Sequence, residues 1–400
     1  LHGFIPYPLG FADYQSSHMS LPTPSPDALA HSTALSHHIA DVIHQAGGWI
    51  SFARYMELAL YAPGLGYYSG GAAKFGAAGD FVTAPEISPL FGRSLARQVA
   101  QVLQTCGGDV LEAGAGSGRL ACDLLNELAL LDCLPQHYFI LEVSADLRER
   151  QRAAIQQQAP QMLARVQWLD TLPETFTGCV VGNEVLDAMP VNLLHWTQDA
   201  VFERGVTWTD NAFMWRDQAI TAGRLYDAAR AIDVGAGYLS EINLAASGFI
   251  KSLAQCLQCG VLVLIDYGFG EREYYHPQRN LGTLMCHYRH RAHDDPFYFP
   301  GLQDITAHVD FTAIAVAGIE AGMRLAGYTS QAQFLINCGI TGLLALTPAS
   351  DAAMYLPQAR ALQKLMSPAE MGELFKVIAL CKGLDASLLG FVEGDQQRKL

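Results

Sequence analysis

The segment that most limits what this chain can become is Val110-Leu111-Glu112-Ala113-Gly114-Ala115-Gly116-Ser117-Gly118. A short apolar run enters it, glycines then stand at every second position, and helical spacing begins at Leu120. Glycine tolerates positive φ and lets the backbone approach a ligand closely. The pattern therefore predicts a strand, a tight turn and a helix N-terminus around a bound molecule. A phosphate-cradling P-loop requires Gly-Lys-Ser/Thr, which is absent. A dinucleotide turn requires G-x-G-x-x-G, but here the third glycine comes one residue early, at Gly118, and Arg119 holds the sixth position. The spacing G-x-G-x-G suits the turn of class I methyltransferases better. A ligand-free strand–helix turn is the competing reading.

The flanking pattern predicts what carries the turn. Strands are expected at 109–113, 138–143, 166–169, 179–182 and 261–265, with helices at 120–131 and 145–158 and another ending at about 259. Short buried strands alternating with helices imply an α/β fold of the Rossmann-like class, its mostly parallel sheet covered by helices on both faces. Residues 1–35, rich in Pro, Ser and His, read as a mobile tail. Residues 36–105 hold N-terminal helical segments, with one helical pattern over 34–62, a Gly-rich loop over 65–88, and a helix to about Gln104 opened by Ser88-Pro89. The core then occupies 106–190, 239–270 and 311–400. A β and helical insertion falls at 191–238, and a second insertion, rich in His and Tyr, at 271–310. Helices are expected over 311–325, over 331–338 and after the capping box Ser367-Pro368-Ala369-Glu370.

Charge narrows the partners. The formal net charge of −14 disfavours a phosphate backbone, so nucleic acid is not expected as a partner. No apolar run reaches the length of a membrane span. The first residues lack secretory or mitochondrial targeting patterns, which favours a bacterial cytoplasm over a mitochondrial matrix. The nine cysteines form no disulfide framework, and Cys256-Leu-Gln-Cys259 has no second pair at zinc spacing. The histidines of 286–295 alternate with arginines in what reads as a loop, so no metal site is expected.

Chemistry concentrates at two strand ends. Glu142, 24 residues beyond Gly118, stands at the tip of the second strand, where a carboxylate accepts ribose hydroxyls. That ribose is common to NAD and S-adenosylmethionine, so the glycine spacing has to discriminate. The fourth strand runs into Asn183-Glu184-Val185-Leu186-Asp187. Two carboxylates there suit a flat guanidinium with its fork of donors; capping of the following helix is the alternative use. A sulfonium methyl is already activated, so orienting carboxylates are expected in place of a catalytic triad. Glu184 and Asp187 are the catalytic candidates. Glu112, Gly114, Gly116, Gly118, Glu142, Ser144 and Asn183 are the cofactor candidates.

These motifs resemble those of the MidA-type methyltransferases. The resemblance runs from about Ile50 to the C-terminal region. It rests on Gly66-Tyr67-Tyr68, Gly79-Asp80-Phe81-Val82-Thr83-Ala84-Pro85-Glu86-Ile87-Ser88, Glu142-Val143-Ser144 with Gln151, Gly182-Asn183-Glu184 with Asp187, Ile265-Asp266-Tyr267-Gly268, Gly282-Thr283-Leu284 and the run from Asp304 to Phe311. Ala115 departs from the family's usual proline but is too small to obstruct the turn. The resemblance implies an S-adenosyl-L-methionine cofactor and places Thr83, Pro85 and Glu86 beside it. It also implies a protein substrate methylated on arginine, as in respiratory complex I assembly. An assembly protein without turnover and a small-molecule methyltransferase are the alternatives.

Overall fold

The computed structural model describes residues 21–70 and 83–400. Gly79 to Val82 of the Gly-rich loop and the first 20 residues lie outside them. The central sheet contains β1 (Asp109–Ala113), β2 (Tyr138–Leu141), β3 (Val166–Leu169), β4 (Phe176–Asn183), β5 (Leu257–Phe269), β6 (Arg324–Ser330) and β7 (Phe375–Lys382). Their order is β6-β7-β5-β4-β1-β2-β3. Neighbours from β5 to β3 run parallel, and β7 enters antiparallel between β5 and β6. This is the expected mostly parallel class I architecture.

Alternation along each strand builds a core on either face. Val110 joins the core beneath α3 (Pro89–Cys106), α4 (Arg119–Leu130) and α5 (Ala145–Gln158). Its neighbour Leu111 joins the opposite core, beneath α6 (Leu244–Cys256) and α7 (Phe311–Glu320). Strands buried on both sides read as continuous apolar runs, which is why the elements of this half were visible in the sequence. The chain turns to opposite sides of the sheet after β1 and after β4, so a crevice opens beyond their carboxyl ends.

The first insertion forms an antiparallel sheet from Asn192–Trp196, Val201–Thr209, Ala212–Ile220 and Tyr238–Ile242. The two residues Ile50–Ser51 extend it. They interrupt the single helical pattern expected over 34–62, which splits into α1 (Pro26–Gln45) and α2 (Phe52–Tyr61). Gly47 and Gly48 both take positive φ and stop α1; the Ser51 hydroxyl accepts the Arg54 amide and starts α2. The tail expected to reach residue 35 gives way earlier, because the Ser25 side chain caps α1 and Leu35, Ile39 and Ile43 are buried beneath it.

Three further expectations are corrected. The segment 286–295, read as a loop, contains a hairpin of Met285–Tyr288 and Arg291–His293. The helix expected to run to Leu325 ends at Glu320, and Arg324 begins β6. The capping box at Ser367 opens turns and no helix. Glu370 and Gly372 both donate to the Ser367 carbonyl, and a Cβ on Gly372 would lie 2.1 Å from the Met366 carbonyl oxygen. The chain then enters β7, whose apolar run fills the gap beside β5. Among the described residues, no helix is long and apolar enough to cross a membrane.

Candidate active site

A cavity of about 330 Å³ occupies the crevice, within the usual range for small-ligand sites. Its floor is the glycine turn. Gly114, Gly116 and Gly118 take φ of 65°, 52° and 84°. A Cβ on Gly114 would stand 3.2 Å from Val185 Cγ2, so the turn and the end of β4 are in close contact. Gly118 is the N-cap of α4 and lies outside the cavity wall; a Cβ there would meet Gln151 Cα at 3.0 Å.

Gln151 ties this floor to the second strand. Its Nε2 donates to the Gly116 carbonyl at 3.1 Å and to Glu142 Oε2 at 3.0 Å, and its Oε1 accepts from Trp168 at 2.9 Å. The Ser144 amide donates to Glu142 Oε1 at 2.9 Å. Burial pushes the Glu142 carboxyl up, while the Ser144 amide and Gln151 pull it down. Ser144 itself caps α5 from behind the wall. Glu112 accepts the Tyr138 hydroxyl at 2.6 Å, and burial raises it to about 7 against that hydrogen bond. Thr83, Pro85 and Glu86 line the cavity on another side, and the Ser117 hydroxyl donates to Glu86.

The opposite wall is the end of β4. Glu184 takes φ of 53°, a left-handed conformation rare for a side chain of its size. Its amide donates to the Ile265 carbonyl at 2.9 Å. Its Oε1 accepts from Asn183 Nδ2 at 2.9 Å and from the Ala84 amide at 3.4 Å. Burial, then the Asp187 charge, raises the Glu184 carboxyl to about 8. Asp187 is buried, and Tyr267 faces it. Asn183 Oδ1 and Asp187 Oδ1 are buried without a hydrogen-bond partner among the described residues. Buried polar atoms are rarely left so unless a ligand completes them.

The sequence brought Glu112, Gly114, Gly116, Glu142, Asn183, Glu184, Asp187, Thr83, Pro85 and Glu86 to attention, and all of them line this one cavity. It missed two contributions. Tyr61 and Tyr68 also line it, their rings stacked 5.4 Å apart; Tyr61 donates to the Ala188 carbonyl and Tyr68 to Asp304. Tyr61 gave no signal beyond an apolar helix face. Asp266 accepts the Leu186 and Asp187 amides from the next strand, and only the quoted Asp266-Tyr267 motif hinted at it. Among the described residues, the lining contains Glu86, Glu112, Glu142, Glu184 and Asp187, and no lysine, arginine or histidine.

Known proteins resemble the chain along most of its length. A family model described as S-adenosyl-L-methionine-dependent methyltransferase matches residues 94–329. A crystal structure of a Burkholderia thailandensis protein bound to S-adenosyl-homocysteine is 54% identical, with a TM-score of 0.92 over 95% of this chain and 100% of that one. The mitochondrial protein arginine methyltransferase NDUFAF7 homolog of Caenorhabditis elegans is 28% identical over 79% of this chain and 78% of that protein. Its Rattus norvegicus counterpart is 26% identical over 88% of this chain and 85% of that protein. The cavity suits such a cofactor: bare glycine backbone permits close approach, and the acidic lining favours a sulfonium and an ammonium. From this turn, this sheet and these relatives, the chain belongs to the family of S-adenosyl-L-methionine-dependent methyltransferases.

Proposed function

We propose that this enzyme methylates an arginine side chain of a protein, with Glu184 and Asp187 orienting the guanidinium. The observation that carries the reading is the end of β4: a buried and a half-buried carboxylate, two unpartnered oxygens and, among the described residues, no basic side chain in the cavity lining. A guanidinium supplies five donors in a plane and pairs with carboxylates in a fixed geometry. The names of the mitochondrial relatives support the same substrate class. The resemblance drawn from the sequence extends it to a subunit of respiratory complex I.

The cofactor, when bound, supplies a methyl group already activated on sulfur. Glu142 would hold its ribose hydroxyls, and Gly114 and Gly116 would offer backbone, with Thr83, Pro85 and Glu86 closing the side. Asn183 would meet it through the free Oδ1. Glu184 and Asp187 would then align the acceptor nitrogen and take up the proton that it must lose. A carboxyl raised to about 8 is close to the working range for that transfer. Alignment and exclusion of water supply most of the remaining barrier lowering.

The test is incubation of a cell lysate with isotopically labelled S-adenosylmethionine, with and without the enzyme, followed by peptide mass spectrometry. Enzyme-dependent label on arginine is expected. Label confined to small molecules, or to another residue type, overturns the arginine reading.

A further inference from the structure

Leu186 and Asp187 present their amides to a carboxylate 80 residues away. Asp266 Oδ2 on β5 accepts from Leu186 N at 2.9 Å and from Asp187 N at 3.3 Å. Its other oxygen accepts the Tyr267 amide at 2.9 Å. Tyr267 in turn faces Asp187, and Glu184 N reaches the Ile265 carbonyl on the same strand. Three consecutive residues of β5 therefore grip the turn that follows β4. That turn contains the left-handed Glu184, and its Val185 packs over Gly114. Left-handed glutamate is costly and persists only where its surroundings over-determine it.

Buried Asp187 and Asp266 and half-buried Glu184 form a carboxyl cluster. Tyr267 faces it from β5, and Ala307 donates to the Asp187 carbonyl. Tyr61, Tyr68 and Asp304 stand beyond Asp187. Lys376 is the register partner of Asp266 on β7, but its ammonium points to Glu373, donating to that residue's carbonyl and standing 4.0 Å from its carboxylate. His308 packs edge-on against Tyr267, and burial holds it neutral. Burial and the neighbouring Asp187 and Glu184 carboxylates disfavour ionisation of Asp266, while the Leu186 and Tyr267 amides favour it. Asp266 is the most deeply enclosed, and its neighbours' charges add to the burial that raises it.

We propose that Asp266 is a positioning residue that holds the Glu184–Asp187 turn over the glycine turn by accepting two of its amides. Asparagine keeps the shape and an acceptor oxygen for those amides; alanine keeps neither. The inference rests on Glu184 and Asp187 facing a cation in the cavity. The probes are S-adenosylmethionine, which carries a sulfonium, and S-adenosylhomocysteine, which does not.

Calorimetric titration of both ligands from pH 6 to 8 separates the roles. Asp266→Asn is expected to keep both affinities within about twofold of wild type across this range. Asp266→Ala is expected to keep homocysteine-form affinity within about threefold, since the glycine turn and Glu142 remain. Its affinity for S-adenosylmethionine relative to that form should fall about tenfold. The positioning role is overturned if Asp266→Ala leaves the ratio unchanged. A loss in Asp266→Asn as large as in alanine also overturns it, because that variant keeps the acceptor oxygen. Should alanine prevent folding, Asp266→Leu, close to aspartate in size and without an acceptor, is titrated in its place, with the same two outcomes. These outcomes are independent of the arginine reading, which fails on the identity of the labelled residue.

Discussion

Around the glycine turn each acidic side chain has a partner from its own chain: Glu112 the Tyr138 hydroxyl, Glu142 the Ser144 amide and Gln151, Glu86 the Ser117 hydroxyl. Across the cavity, at the end of β4, Glu184 is held in a left-handed conformation and two buried oxygens have no partner among the described residues. The first wall is complete before any ligand arrives. The second is strained and unfinished. A finished wall binds by shape and can lose one bond gracefully, whereas an unfinished one is organised for a charge that no described residue supplies. Substitutions on the two walls should therefore differ in what they damage.

The largest effect is expected on the unfinished side. Glu184→Gln keeps an oxygen for Asn183 and the Ala84 amide but cannot take up a proton. Turnover on an arginine-containing substrate should fall about 10²- to 10⁴-fold, with S-adenosylmethionine affinity within about threefold at pH 7. Labelled-methyl transfer and calorimetry measure the two. The same variant has a stability signature. Folding raises the Glu184 carboxyl from 4.5 to about 8, so the folded state holds the proton more tightly than the unfolded one. Wild-type stability should thus fall as pH rises through that window. The fall should be smaller in Glu184→Gln, as melting temperatures from pH 4.5 to 8 would reveal. Equal slopes would mean that the carboxyl titrates elsewhere.

On the finished side, Gly114→Val is the severe case. Valine at φ of 65° is strained, and its Cβ would stand 3.2 Å from Val185. Left-handed strain of ~1–2 kcal/mol and overpacking of ~1–3 kcal/mol fall on the surface that the cofactor must approach. Cofactor affinity should drop about 100-fold or more, together with the melting temperature. Glu142→Gln is milder. Glutamine keeps a ribose acceptor but loses the charge, and charge-assisted bonds contribute ~1.5–3 kcal/mol. Affinity for both cofactor forms should fall about 10- to 100-fold alike, because the ribose does not sense the sulfonium. An effect restricted to the sulfonium form would move Glu142 to the unfinished side of the comparison.

The two walls also differ in how legible they were. The elements carrying the finished wall are local: an apolar run, glycines two apart, a strand at 166–169 and a helix at 145–158 that the structure reproduces to the residue. Glu142 follows from its distance along the chain alone. Asn183, Glu184 and Asp187 were visible as residues, because they follow a buried strand. Their strain and missing partners were not, because Asp266, Tyr267 and Ala84 come from remote segments. The same limit explains the misreadings. Ser367 to Glu370 satisfies a local capping rule, yet the gap beside β5 and the turn at Gly372 decide the outcome. Arg324 to Ser330 has little β-branched content and becomes a strand only because β7 lies beside it.

The smallest effect probes how well the finished wall tolerates loss. Ser117 sits between two of the turn glycines; its hydroxyl donates to Glu86 and accepts the Arg119 amide at 3.3 Å. Ser117→Ala removes both bonds. Glu86 is only half-buried, so water can replace the lost donor, and the net value of such a bond is ~0.5–1.5 kcal/mol. Cofactor affinity should fall about two- to fivefold, and turnover at saturating cofactor should be unchanged. A loss of turnover at saturation would mean that the floor of the cavity also sets the geometry of the reacting groups. The division between a binding wall and an orienting wall would then have to be redrawn along Glu86, which touches the glycine turn and lies three residues from Thr83.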